Sequence, residues 1–207
     1  MCGKISGKPI FGIGINTGEF PASLGNKPTK EYILWTGMLR RCTREWLIKR
    51  PTYIGCTISE NFKSYAFFYE WCQEQVGFEN KDDKNMAWHL DKDLLIKGNK
   101  LYSEDTCVFI PLRVNSLLVK GDSIRGKYPI GVRKQTKDKR FKSYCKDGTE
   151  GTNKQTQLGS FDTVEEAFQA YKTFKEAIIK RVAEQYKHQL DYRAYKALMN
   201  YEVDITD

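Results

Sequence analysis

Residues 88–115 constrain the fold of this 207-residue chain more than any other stretch, because they join short apolar segments through strong turn signals. One apolar segment is followed by a polar Gly-Asn turn at 98–99, and a second apolar segment occupies 106–110. Pro111 ends the second segment. Apolar runs on either side of a Gly-Asn turn predict a β-hairpin, and a short helix is expected after the proline.

Polar side chains lie at defined positions around this predicted hairpin. Asp91 and Asp93 belong to its first part, and Asn115 lies on the expected helix. A carboxylate on a strand and an amide on a neighbouring helix can hold one divalent cation between them.

The same stretch resembles the HNH nuclease motif, in a divergent form common in phage genomes. Leu90-Asp-Lys-Asp93 matches the first part of that motif, residues 101–109 match its second part, and Asn115 matches its end. The resemblance extends to about residues 30–120. It implies a ββα-metal fold, with Asp91 and Asn115 as ligands of one Mg²⁺ or Mn²⁺ per active site.

Three positions depart from the motif. The histidine that usually follows the first aspartate is replaced by Lys92, the middle asparagine by Thr106, and the tryptophan by Phe109. A lysine beside two carboxylates is a poor general base unless its pKa falls far. His89 can replace it, because residues i and i+2 of a strand share a face, although a hydrogen-bonded or exposed histidine without a catalytic role is the alternative. The candidate catalytic residues are His89, Asp91, Lys92, Asp93 and Asn115.

The segment before the hairpin is predicted to form helices and short strands that support it. A strand is predicted at 11–15, a helix beginning at Thr29, a short strand at 51–58 and a second helix over 61–76. The aromatic stripe of the second helix is interpreted as core. On the first helix, Arg40, Arg41 and Arg44 share one side, which is either a solvated face or a phosphate contact.

Most of the positive charge lies in the C-terminal half. Residues 120–154 carry eleven Lys or Arg and four acids, a net charge of +7, whereas the whole chain has +8. Three short strands are predicted here, near 130–133, 140–145 and 154–158, with Phe141 on one face and Lys142 on the other. A helix capped by Thr163 and Glu166 follows and would cover one face of the sheet, which leaves the basic face for phosphates.

A second resemblance covers about residues 126–180. Ile130-Gly-Val-Arg133, Arg140-Phe-Lys142 and the run Leu158–Tyr171 are similar to the ethylene-response-factor-type DNA-binding domain of plant transcription factors and phage homing nucleases. The resemblance implies a three-stranded sheet lying in the DNA major groove. That family usually has tryptophan near Phe141 and Gln157, so the base specificity stays open. The candidate DNA-binding residues are Arg125, Lys127, Arg133, Lys134, Lys139, Arg140, Lys142, Lys154 and Gln157.

The composition limits the remaining possibilities. No apolar run approaches the length of a membrane span, and the N-terminus does not look like a secretory signal. The six cysteines contain no Cys-x-x-Cys pair, so a zinc site is not expected. We expect the cysteines to be reduced thiols in a cytosol. No small-molecule cofactor is expected, and the pattern does not decide between monomer and dimer. Residues 184–207 continue at helical spacing, and we expect them to fold back on a domain or to form a dimer contact.

The sequence therefore predicts an α+β chain of two domains. Residues 1–120 would form an HNH-like domain with flanking helices, and 121–207 a three-stranded antiparallel sheet packed on a helix. Two functions follow from this. The first is a sequence-specific, metal-dependent homing-type DNA endonuclease, acting in the host cytosol for a phage protein; the second is a DNA-binding regulator or competitor that no longer cuts.

Overall fold

The chain folds into two units, each with helices and small sheets. The computed structural model describes residues 8–119, 126–136, 139–146 and 154–206. The α+β class is confirmed. The first unit is Met1–Ile110 and the second is Pro111–Asp207.

The first unit has short strands between helices. Its strands pair two by two: β1 with β2 antiparallel, β3 with β5 parallel, and β4 with β6 antiparallel. In chain order its elements are β1 (Ser23–Leu24), β2 (Lys27–Pro28), α1 (Lys30–Arg41), α2 (Arg44–Lys49), a 3-10 turn (Pro51–Tyr53), β3 (Thr57–Ile58), α3 (Glu60–Lys63), α4 (Tyr65–Glu74), β4 (His89–Asp91), β5 (Leu101–Tyr102) and β6 (Val108–Ile110).

Aromatic side chains form the core of the first unit. Trp35 is fully buried on α1, and its indole N–H donates to the Phe62 carbonyl at 2.8 Å. The Trp71 ring of α4 lies 4.8 Å from Phe62 and 5.9 Å from Phe109 of β6, centroid to centroid. These aromatic contacts thus join α1 and α4 to β6, the strand that carries the second part of the HNH-like stretch.

The predicted helix over 61–76 is two helices. Ser64 lies between them in extended conformation, and its side chain accepts a hydrogen bond from the Phe67 N–H. A serine that caps a following helix competes with continuation of the preceding one. Thr29 caps α1 as the sequence indicates. The strand expected at 11–15 is instead a tight turn, closed by paired hydrogen bonds between Ile10 and Gly14.

The second unit is a three-stranded antiparallel sheet with helices. The sheet order is β7-β8-β9, and the longest helix, α6, packs on one face. That face presents Val132, Ser143 and Cys145, all of them buried. Its elements are α5 (Leu112–Leu118), β7 (Val132–Lys134), β8 (Phe141–Lys146), β9 (Gln155–Phe161), α6 (Val164–Gln185) and α7 (Tyr192–Met199).

α6 begins with a complete capping box. The Thr163 hydroxyl accepts from the Glu166 N–H, and the Glu166 carboxylate accepts from the Thr163 N–H, both at 3.2 Å. The preceding strand runs through Gly159, where the sequence suggested an end. A Cβ at 159 would lie 2.7 Å from the Phe161 ring, so the glycine leaves the space that this ring occupies.

The boundary between the units lies ten residues earlier than the predicted division at 120. The reason is α5, which packs against α6 within the second unit. Arg113 of α5 donates to the Gln185 side-chain oxygen at 2.8 Å. The strands of the expected ββα arrangement therefore belong to the first unit and its helix to the second.

The C-terminal segment folds back on α6. The Val203 carbonyl accepts from the Lys172 ammonium, and its N–H donates to the Glu176 carboxylate, both at 2.9 Å. Lys172 and Glu176 also pair with each other at 2.7 Å. The ion pair on α6 thus binds both the carbonyl and the N–H of Val203 in the C-terminal segment.

We predict that Gly131→Ala destabilises the second unit. Gly131 has φ +79°, and an alanine Cβ would lie 2.1 Å from the Tyr171 ring. Overpacking and left-handed strain together should lower the free energy of unfolding by roughly 2–4 kcal/mol in urea titrations. The matched control is Gly126→Ala, where no atom lies within 4 Å, with a change below about 0.5 kcal/mol expected. Equal effects of the two substitutions would contradict the packing of Tyr171.

Candidate functional site

The motif strands form an antiparallel pair in the first unit. Leu90 of β4 pairs with Phe109 of β6, which places His89 opposite Ile110 and Asp91 opposite Val108. The chain between them does not make a simple hairpin, because β5 leaves to pair in parallel with β3. Asn99 closes this longer loop, since its amide donates to the carbonyls of Lys92 and Leu101, each at 2.7 Å.

Asp91 caps a turn of its own chain. Its Oδ1 accepts from the Asp93 N–H at 3.0 Å and from the Leu94 N–H at 2.8 Å. Burial raises the pKa of Asp91, and the charge of Asp93 raises it further, whereas these two N–H bonds and the nearby Lys92 oppose the increase. The carboxylate predicted to bind metal is therefore already used to order residues 91–94.

Lys92 is buried. Its side chain is 10% exposed, and its ammonium lies 3.5 Å from Asp93 Oδ1 and 5.7 Å from the centroid of the Tyr102 ring. Each of these contacts compensates the positive charge from within the first unit. Lys92 is thus held by its own chain at the position where the motif usually has its general base.

The other motif positions serve packing and turn formation. Thr106, at the place of the motif asparagine, donates to the Leu101 carbonyl at 2.8 Å and bonds to the Ser103 hydroxyl at 2.9 Å. Phe109, in place of tryptophan, is fully buried and lies 5.4 Å from the Phe78 ring. In the structure, Thr106 therefore stabilises a turn, and Phe109 belongs to the core of the first unit.

The remaining candidates for catalysis are distributed over both units. His89 is half-buried on β4, on the same side of the strand as Asp91. Asn115 lies on α5 of the second unit, where its N–H donates to the Pro111 carbonyl at 3.1 Å.

A cation would find few ligands in the first unit. Within the described ranges, no three or more His, Cys, Asp or Glu side chains gather closely enough to hold a metal. The two carboxylates of the loop, Asp91 and Asp93, face an internal ammonium at Lys92. These groups by themselves do not make a fitting magnesium site, because a lysine already supplies the compensating charge. The pairing of Asp91 with Asn115 at one cation stays a prediction.

A different set of polar side chains lies on the sheet of the second unit. Arg133 of β7 pairs with Lys142 of β8, and both point to the face opposite α6. Beyond a bulge at Ser143/Tyr144, the same face continues with Tyr144 and Lys146 of β8 and with Gln155 and Gln157 of β9. The face of the sheet opposite α6 therefore carries both cationic and neutral hydrogen-bonding side chains, contributed by all three strands.

Four of these side chains, Arg133, Tyr144, Gln155 and Gln157, contact one another. Arg133 donates to Gln155 Oε1 at 3.1 Å, and its guanidinium lies 5.1 Å from the centroid of the Tyr144 ring. The Tyr144 hydroxyl donates to Gln157 Oε1 at 3.3 Å. Of the residues on this face, sequence reasoning missed Tyr144, Lys146 and Gln155 as DNA-binding candidates, although alternation along β8 and β9 places them there.

The other predicted DNA-binding residues lie elsewhere. Lys134 is on the α6 side of the sheet, where its ammonium lies 5.7 Å from the centroid of the Phe141 ring.

The remaining described candidates lie outside the strands. Lys139 adopts φ 58° in the turn before β8. Arg140 donates to the Ser160 carbonyl and pairs with Asp162, both at 3.0 Å. The exposed Lys127 and Lys154 lie outside the strands, and Arg125 lies outside the described residues.

No family model, curated protein or solved structure matches this chain. Among the described helices, none combines the length and apolar character needed to cross a membrane.

We predict that Asp91→Ala and Asp91→Asn differ in stability. Alanine removes the acceptor of two N–H bonds, which should lower the free energy of unfolding by roughly 1–3 kcal/mol. Asparagine keeps an oxygen at that position and should cost less. Urea unfolding at neutral pH measures both variants, and equal losses would contradict the role of Asp91 as a turn cap.

The same carboxyl should make stability depend on pH. Because its folded pKa is raised above the ordinary value of 3.8, the folded state binds the proton more tightly than the unfolded state. This contribution is present in full below that ordinary value and is lost as pH rises through the raised pKa. Asp91→Asn should abolish that part of the pH dependence, which the difference between wild-type and variant unfolding curves across the acid range would show.

Proposed function

We propose that this chain binds double-stranded DNA through the outward face of the sheet β7-β8-β9. The observation that carries the proposal is the clustering of Arg133, Lys142 and Lys146 with Tyr144, Gln155 and Gln157 on the face that α6 leaves uncovered. The major groove is wide enough to admit a β-ribbon. The cations would neutralise phosphates, which supplies most of the sequence-independent affinity.

The amide and guanidinium groups of this face can read base edges. Arginine suits the two acceptors of guanine, and glutamine suits adenine. Arg133 is already oriented by Gln155 and Tyr144, so less side-chain entropy is lost when it meets a base. The same side chains can exchange their mutual hydrogen bonds for bonds to DNA without leaving a polar group unpaired.

Of the two roles left open by the sequence, the geometry of the first unit favours binding without cleavage. Lys92 replaces the usual base and is buried beside Asp93, and Asp91 caps a turn. We therefore propose that the HNH-like segment acts as a structural unit in a DNA-binding regulator or competitor. The endonuclease is the alternative, and it would require Mg²⁺ or Mn²⁺ to activate water and to stabilise the charge on the phosphate.

We predict that Arg133→Ala with Lys142→Ala weakens duplex binding by roughly tenfold or more. The slope of log affinity against log salt should fall by about one unit for each of the two cations that contacts a phosphate, because only phosphate contacts release counterions. Gel-shift titrations over a salt series measure both quantities.

The matched control removes the same charge from elsewhere in the second unit. Lys134 lies on the α6 side of the sheet, and Lys180 is exposed on α6 itself. Lys134→Ala with Lys180→Ala should leave affinity within a few-fold. If both pairs weaken binding equally, general charge and not this face accounts for the affinity.

For the non-cleaving role we predict that the wild-type protein leaves its bound DNA intact with Mg²⁺ and with Mn²⁺. The control is Asp91→Asn, which keeps the turn oxygen and removes the charge. Nicking or cutting by the wild type that disappears in Asp91→Asn and in EDTA would establish the nuclease instead. Cutting that persists in Asp91→Asn would indicate a contaminating enzyme.

A further inference from the structure

The first unit contains a cavity that plays no part in the HNH-like segment. Its volume is about 580 Å³, within the range of small-ligand pockets. It is open to solvent and combines two aromatic rings, two cations, one acid and one hydroxyl. The lining residues are Phe11, Arg40, Thr43, Glu45, Trp46 and Lys49.

Phe11 is held there in an unfavourable backbone conformation. It occupies the tight turn between Ile10 and Gly14 with φ 53°, next to Gly12 at φ 71°. Asparagine or glycine is the usual residue at such a position, and a bulky side chain costs on the order of 1 kcal/mol or more. Phe11 is 47% exposed, so burial offsets only part of this cost. A strained turn that displays an apolar ring at the edge of a cavity points to a ligand for the ring.

Trp46 provides the second ring. It is half-buried on α2, whereas Trp35, Trp71 and Trp88 are 0%, 7% and 2% exposed. The guanidinium of Arg40 lies 4.6 Å from the centroid of the Trp46 indole and is itself exposed. This stacked cation keeps the positive charge at the cavity edge.

The lining of the cavity has a net charge of +1, from Arg40 and Lys49 against Glu45, and the chain segment that supplies it is more basic. Residues 40–50 contain five Lys or Arg and one acid, so the excess is +4 within this short segment. Surfaces that bind single-stranded nucleic acids combine such a cationic track with aromatic rings on which bases stack. Neither feature alone would be specific, but here two aromatic rings and two cations of this segment or its neighbouring turn line one cavity.

We propose that this cavity binds one unstacked nucleotide of a single-stranded nucleic acid. The base would stack on Phe11 and Trp46, and its phosphate would pair with Arg40 or Lys49. Glu45 would accept a hydrogen bond from an exocyclic amino group, which favours cytosine over thymine. This site belongs to the first unit and does not depend on duplex binding by the sheet of the second.

Trp46 makes the proposal measurable in the full-length protein. Because the other three tryptophans are buried, stacking of a base should quench chiefly the Trp46 emission. Titration with a short single-stranded oligodeoxycytidylate at low salt should give saturable quenching, and oligothymidylate should bind more weakly. Trp46→Phe should abolish the quenching, while fluorescence anisotropy of a labelled oligonucleotide still reports binding.

The decisive variant is Phe11→Asn. Asparagine suits the left-handed turn, so the fold should be kept and its thermal stability unchanged or raised. The affinity for the oligonucleotide should fall roughly 5- to 150-fold, the equivalent of losing one base stack. Ile48→Ala is the control for loss of an exposed apolar side chain, because Ile48 is 75% exposed on α2, the helix that carries Trp46, and does not line the cavity. Its affinity should equal that of the wild type.

The outcomes separate this proposal from the one for the sheet. Quenching that survives Arg133→Ala with Lys142→Ala but weakens in Phe11→Asn supports the cavity, whatever the duplex result. Absence of saturable quenching, or equal affinities of Phe11→Asn and Ile48→Ala, overturns the cavity proposal. Loss of oligonucleotide binding in the sheet variant alone overturns it as well, because the strand then binds at the sheet.

Discussion

Side chains that bond to the backbone hold the first unit together, because its strands are too short to satisfy their own polar groups. β4 and β6 have three residues each, and β3 and β5 have two. The carbonyls and N–H groups of the intervening loop are paired instead by Asp91, Asn99 and Thr106. Several of these groups are partly buried, and leaving them unpaired would lower the stability of the first unit. The polar positions of the HNH-like motif are therefore explained by the fold before any chemistry is invoked.

The second unit meets the same requirement in a different way, and this difference bears on function. Strands β8 and β9 are six and seven residues long and pair along nearly their whole length. Their outward side chains are not needed to satisfy the backbone and can interact with a partner. Arg133 bonds laterally to Gln155 and stacks on Tyr144, and Tyr144 bonds to Gln157, which orders these side chains without burying them. A rigid polar face of this kind is suited to recognition, whereas the polar loop of the first unit is committed to its own structure.

Local signals predicted local structure well, and tertiary contacts account for the differences. Thr29 and the pair Thr163 and Glu166 mark helix starts that the structure shows, because a cap depends only on adjacent residues. Alternation assigned Lys142 correctly to the outward face, but the position of Lys134 on the α6 side follows from where β7 begins, which composition does not specify. Helix α5 joins the second unit through packing on α6, a contact that no pattern within residues 112–118 reveals. Phe11 falls within a predicted strand but occupies a left-handed turn, because an apolar run carries no sequence signal for such a turn.

Positive charge alone does not distinguish the two proposed nucleic-acid sites, since both contain arginine and lysine. The uncharged side chains of the two sites distinguish them. The sheet presents amides and a tyrosine hydroxyl, which match the edges of paired bases, whereas the cavity presents aromatic rings, which match the faces of unpaired ones. Phosphate contacts weaken as salt rises, because counterion release drives them, but stacking depends little on salt. At high salt, the affinity that remains should therefore come from Phe11 and Trp46 for single strands and from the Gln155, Gln157 and Tyr144 group for duplex DNA.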